Sequence, residues 1–173
     1  MATINLLIAV DASTLAEAVA DKTLPAGTPN APTPLGPYST SGIALCMMTE
    51  DSIMSNMAED DFNVNVNSGD TLQWEMTAFS NSDHTVYPYN AVFNPPAAMS
   101  QMKYIAAEST VYFPAANHPT RPITAFKEHD YCAQSTVLKT FLSVQYALAF
   151  ALVDNSSGKI IGYFSIDAFI IAS

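Results

Sequence analysis

Residues 146–171 constrain this chain more than any other stretch. They read YALAFALV, then DNSSG, then KIIGYFSIDAFII. Two apolar runs joined by five polar residues ending in glycine form a β-hairpin, because Asp, Asn and Ser bond back to nearby backbone and Gly reverses the chain without strain. In the second run Ile161, Tyr163, Ser165, Asp167, Phe169 and Ile171 alternate with Ile160, Gly162, Phe164, Ile166, Ala168 and Ile170. A period of two, rich in β-branched and aromatic residues, is the pattern of a strand. Apolar residues on both faces place that strand inside a sheet covered on both sides. This hairpin is the expected spine of the domain.

The rest of the chain repeats the pattern in shorter pieces. Ala2 to Val10 reads as the first strand, and Ser13 is placed to cap a short helix with Leu15, Ala18 and Val19 on one face. Leu24 to Pro37 carries Pro25, Pro29, Pro32, Pro34 and Pro37, so it reads as an extended loop, unfit for helix or central strand. Gly42 to Met48 and Phe62 to Val66 read as short strands, and Asn67-Ser68-Gly69-Asp70 as a turn. Thr71 to Phe79 puts Leu72, Trp74, Met76 and Ala78 on one face. Asn81-Ser82-Asp83 turns the chain into Thr85 to Phe93, where Pro88 marks an edge strand or a bulge.

Gln101 to Phe113 holds one or two short strands. Pro114 to Pro122 is a loop, Ile123 to Phe126 a short strand and Glu128-His129-Asp130 a polar turn. Val137 to Ser143 and Val144 to Val153 form one bent strand or two. Frequent turns between short strands indicate an all-β fold, an antiparallel β-sandwich with a short N-terminal helix and long loops. Residues 1–173 are expected to form a single domain, a usual length for one core.

Charge narrows the partners. The formal net charge is −10, which sets nucleic acid and anionic membrane surfaces aside. Charged residues make up only 13% of the chain, against about 25% in soluble proteins generally. The surface must therefore be unusually apolar or neutral, which favours association with itself. The start of the chain lacks the basic segment of a secretory signal, and no stretch is long and apolar enough for a membrane helix, so a cytoplasmic protein is expected. In that compartment Cys46 and Cys132, with no metal-type spacing, read as buried thiols.

No nucleophile or phosphate-binding motif surrounds the three histidines, His84, His118 and His129, and no catalytic residue is assigned. Oxygen-rich turns at Asn67 to Asp70, Asn81 to Asp83 and Asp154 to Ser157 offer calcium-type donors, although these residue types also simply make turns. A sugar would need an aromatic platform. Tyr87, Tyr89 and Tyr112 are available, while Trp74 alternates with core positions and is expected inside. The methionine pairs Met54/Met57 and Met99/Met102 fall in expected loops and suggest adaptable contact surfaces.

Three stretches carry a family resemblance. INLLIAVDASTL near the start, SGDTLQWEMTAFSNSD in the middle and GKIIGYFSIDAFI at the end resemble the PixA/AidA inclusion-body proteins of Gram-negative bacteria. The likeness runs from Ile4 to Ile171. The family ending usually carries Trp and Pro around its aspartate, where this chain has Ile166 and Ala168. The resemblance implies a non-enzymatic cytoplasmic protein that self-associates into inclusions, with release from the cell open to it; AidA-type members are linked to quorum-sensing control and host interaction. A shorter likeness leads to the alternative. VDNSSGKIIGYFSID resembles the closing hairpin of small galactose-binding, calcium-dependent sandwich lectins. It implies a carbohydrate partner, calcium as cofactor, and Asp154, Asn155 and Asp167 as metal ligands.

Overall fold

The computed structural model describes residues 1–37, 44–48, 66–79, 83–114, 123–139 and 143–170. The elements are β1 (Thr3–Val10), α1 (Ala12–Ala20), β2 (Thr33–Pro37), β3 (Ala44–Met48), β4 (Thr71–Ala78), β5 (His84–Asn94), β6 (Lys103–Pro114), β7 (Ile123–Thr136), β8 (Val144–Asp154) and β9 (Lys159–Ile170). They form a five-stranded sheet, β3-β1-β4-β7-β6, and a four-stranded sheet, β2-β9-β8-β5. The fold is therefore mainly β with one short N-terminal helix, as the turn spacing requires. Pairing is antiparallel except at β1–β4 and β2–β9, which run parallel and make both sheets mixed. Strands that pair across long connections leave no local turn signal, which is why the sequence pattern alone suggests antiparallel pairing throughout.

The C-terminal hairpin lies in the middle of the four-stranded sheet, as its two apolar faces demand. On its inner face Tyr146, Leu148, Phe150 and Leu152 stand opposite Ala168, Ile166, Phe164 and Gly162. All seven side chains are buried, and the Phe150 and Phe164 rings meet at 5.7 Å. Leu6, Ile8, Leu72 and Trp74 face them from the five-stranded sheet. Trp74 joins the two layers. Its ring lies 5.8 Å from Tyr146 and 6.1 Å from Phe93, and its indole N–H points to the Tyr146 hydroxyl at 3.5 Å. Each aromatic contact of this kind adds about 0.5–1.5 kcal/mol beyond burial itself.

Helix α1 begins two residues earlier than expected. Asp11, not Ser13, is the cap: its carboxylate accepts the Thr14 N–H at 3.0 Å and the Thr14 hydroxyl at 2.8 Å. Asp carries the stronger acceptor for an orphan helix N–H. The proline-rich segment 24–37 ends as edge strand β2, with a register shift between Pro34 and Pro37, the place in a sheet that proline tolerates. Upstream, the segment lies directly on β9, where the Tyr163 N–H donates to the Ala26 carbonyl at 2.6 Å. A Cβ at Gly162 would meet that carbonyl at 2.8 Å, so only glycine allows the approach. Pro88 sits on edge strand β5 beside a register shift at Pro88/Asn90, in keeping with both readings of that proline.

One expectation is overturned in the second half. Glu128-His129-Asp130 is not a turn; it lies inside the continuous fourteen-residue strand β7. Of the one or two short strands read in Gln101 to Phe113, the structure has one, the twelve-residue β6. The methionines correct another point. Met99 is buried and Met102 packs partly buried against the core, so this pair fills core gaps rather than offering a contact surface. Met54 and Met57 lie outside the described residues, as does most of Phe62 to Val66.

The turn before β4 holds three strands together. Asp70 is only 4% exposed, and its carboxylate accepts the Ala2 N–H at 2.7 Å and the Asn67 N–H at 2.9 Å. Its backbone carbonyl accepts the Val137 N–H at 2.8 Å, beyond the end of β7. The Ala2 bond, then the Asn67 bond, hold its pKa below the ordinary 3.8. A carboxyl depressed in the folded state stabilises above its unfolded pKa, and the contribution is lost as pH falls through the folded value. Asp70→Ala should therefore cost about 2 kcal/mol at neutral pH, the scale of a buried charge-assisted bond. In urea titrations the difference from the natural chain should shrink as pH is lowered below about 4, the unfolded carboxyl value. An unchanged urea midpoint at neutral pH would refute this role.

Candidate functional site

A concavity of about 530 Å³ lies where the open edges of the two sheets meet. Thr85, Tyr87, Pro88 and Tyr89 line it from β5, and Tyr104 and Tyr131 from β6 and β7. The wall is apolar ring surface edged by phenol hydroxyls. Tyr89 is anchored from behind: its hydroxyl donates to the Pro29 carbonyl at 3.1 Å and its ring meets Tyr163 edge-on at 5.6 Å. Burial raises the Tyr89 phenol, with Tyr163 and Tyr87 adding to the effect. Burial likewise pushes Tyr104 up to about 12, with Tyr87 and Tyr89 contributing. These hydroxyls are protonated donors at any physiological pH. Of the aromatic residues singled out from sequence, Tyr87 and Tyr89 are in this site, while Trp74 is fully buried, as its alternation indicates.

The concavity marks the root of a long arm. Only Ala133–Thr136 of β7 pair with β4, whereas β7 pairs with β6 all the way from Gln134 to Ile123. Among the described residues, 123–132 thus continue past the sheet with β6 as their partner, over about 33 Å at 3.3 Å per residue. Every described side chain from Thr124 to His129 is exposed. Tyr112 is 66% exposed and Tyr131 67%, and Tyr104, Ile105 and Phe126 are also large, apolar and exposed. Glu108 and Lys127 form an ion pair on this arm, a solvated contact of small energetic weight.

The oxygen-rich hairpin turn is internally satisfied. Asp154 Oδ1 accepts the Ser156 N–H at 2.8 Å and its hydroxyl at 2.7 Å, and Oδ2 accepts the Ser157 hydroxyl at 2.7 Å. The Ser157 bond, then those from Ser156, hold this carboxyl down at about 2. Asn155 Oδ1 accepts the Thr85 hydroxyl at 2.8 Å. Asp167 does not join them. It stands opposite Ala147, seven residues along β8 from Asp154 and so about 23 Å away. Asp154, Asn155 and Asp167 therefore do not form one ligand set. Among the described residues, no three His, Cys, Asp or Glu side chains gather into a metal site.

The histidines are dispersed. His84 starts β5 opposite Asp154, and His129 faces Glu108 across the exposed arm. His118 lies outside the described residues. Cys132 is buried, with its Sγ 3.8 Å from the Ile105 carbonyl. No helix among the described residues is long and apolar enough to cross a membrane.

Comparisons agree with this architecture. No curated protein matches the chain. A crystal structure of an inclusion body protein (PixA) from Burkholderia cenocepacia J2315 superposes with a TM-score of 0.74 at 17% identity, covering 99% of this chain and 96% of that one. That likeness shows a shared fold. The PixA family model, described as inclusion body protein, matches residues 2–171. The chain belongs to the PixA inclusion-body protein family.

Proposed function

We propose that this protein is a non-enzymatic packing protein whose copies associate with one another into cytoplasmic inclusions. The observation that carries the reading is the exposed apolar surface. Tyr104, Ile105, Tyr112, Phe126 and Tyr131 are large, apolar and exposed along β6 and β7. Exposed apolar side chains on a chain with 13% charged residues favour protein contact over solvation. Family membership supports the same reading. Sedimentation velocity across the micromolar range should show a concentration-dependent rise in mass. The association should strengthen as pH approaches the isoelectric point near 4.3, where repulsion from the net charge of −10 fades. A strict monomer at every concentration and pH would refute the reading.

The tyrosine concavity favours a second reading, a carbohydrate subsite. Its volume lies in the range of about 300–1,000 Å³ typical of small-molecule pockets, and tyrosine rings with a free donor edge suit a sugar. A ligand that binds only the folded state must raise its melting temperature. This reading expects a shift of several degrees with one monosaccharide, abolished by Tyr104→Ala. Calcium is tested in the same screen by adding EDTA. No shift across a monosaccharide panel would rule the subsite out.

A further inference from the structure

We infer that the arm formed by β6 and β7 docks on the arm of a second copy, with the two running in opposite directions and the second copy's Tyr112 seated at the tyrosine concavity. This rests on the self-association reading and names its contact.

The face pattern of the arm is the first ground. Directly paired residues share a face, so Tyr104/Ala133, Ala106/Tyr131, Glu108/His129, Thr110/Lys127 and Tyr112/Ala125 form successive rows on one side. Tyr131 stands beside Ala106 and Tyr112 beside Ala125, a ridge and a gap in each row, while Ala133 beside Tyr104 is buried. Tyr104 and Tyr112 lie four residues on either side of Glu108. Reversing a second arm over the first therefore brings Tyr112 of one copy over the Tyr104 row of the other. That row opens into the concavity lined by Tyr104, Tyr131, Tyr87 and Tyr89. A surface that matches its own reversal is what a two-fold contact between identical chains requires.

Charge is the second, independent ground. Strands β6 and β7 carry two of the six basic residues (Lys103, Lys127) and three of the sixteen acidic ones (Glu108, Glu128, Asp130). The arm is thus close to neutral, and nearly all of the net charge of −10 belongs to the rest of the chain. Arm-to-arm docking joins the nearly neutral parts. Tyr104 and Tyr112 are eight residues apart, so the roots of the two arms stand about 26 Å from each other. That exceeds the Debye length of about 8 Å at physiological salt, and repulsion between the acidic bodies is screened.

Stability is the third ground. A two-stranded ribbon with both faces in water is marginal by itself and gains from being covered. An arm of its own chain cannot fold back to fill the concavity, because the tip lies eight residues beyond Tyr131, about 26 Å away.

The test is sedimentation equilibrium on the full chain for Tyr112→Lys, Tyr112→Phe and, as a surface control, Val92→Lys on exposed β5. Thermal melting checks that each variant folds. The expected result is an association at least tenfold weaker for Tyr112→Lys, with Tyr112→Phe and Val92→Lys close to the natural chain. Association of Tyr112→Lys at natural strength, or equal weakening by Val92→Lys, would overturn arm docking while leaving self-association in place. A natural chain that never associates would remove the self-association reading and this contact with it.

Discussion

The fold depends on the contact between Trp74 and Tyr146. One belongs to the five-stranded sheet and the other to the central hairpin of the four-stranded sheet, and Phe93 on β5 completes the cluster. Rings at 5.8–6.1 Å fill the space between the layers where smaller side chains would leave a void. The weak indole-to-phenol bond gives both buried polar groups a partner. Once these layers are fixed, strand β5 is held at one edge and β6 leaves from the edge facing it. The tyrosine concavity and the arm are consequences of that geometry.

The chain divides its labour by charge and burial. The sandwich holds the buried core and carries nearly all of the net acidic charge. The arm is close to neutral and displays Tyr104, Ile105, Tyr112, Phe126 and Tyr131. An acidic body and an apolar ribbon on one chain give the proposed association a direction, because contact through the ribbon keeps the acidic surfaces apart.

What the sequence revealed follows burial. The C-terminal hairpin was legible because its inner face runs Tyr146, Leu148, Phe150, Leu152 against Phe164, Ile166 and Ile170, a period-two pattern that water does not interrupt. Trp74 was legible for the same reason, and Pro88 because proline removes a ladder donor. The arm was not. Residues 124–129 are exposed on a strand, so nothing forces apolar and polar residues to alternate, and Glu128-His129-Asp130 imitates a turn. The candidate site was half legible: Tyr87 and Tyr89 were visible as aromatic candidates, but Tyr131 joins them only through long-range pairing of β6 with β7. The calcium ligands inferred from a short likeness failed on register, since adjacency in a motif does not place Asp154 and Asp167 together across a long strand.

Hydrogen exchange followed across protein concentration tests the central claim most directly, because it reads every backbone amide in the intact chain. Association through the arm predicts that amides of 103–114 and 123–131 gain protection as concentration rises, while those of the buried β8–β9 hairpin stay constant. Protection that rises instead on the outer strands of the sandwich, with the arm unchanged, would contradict the account.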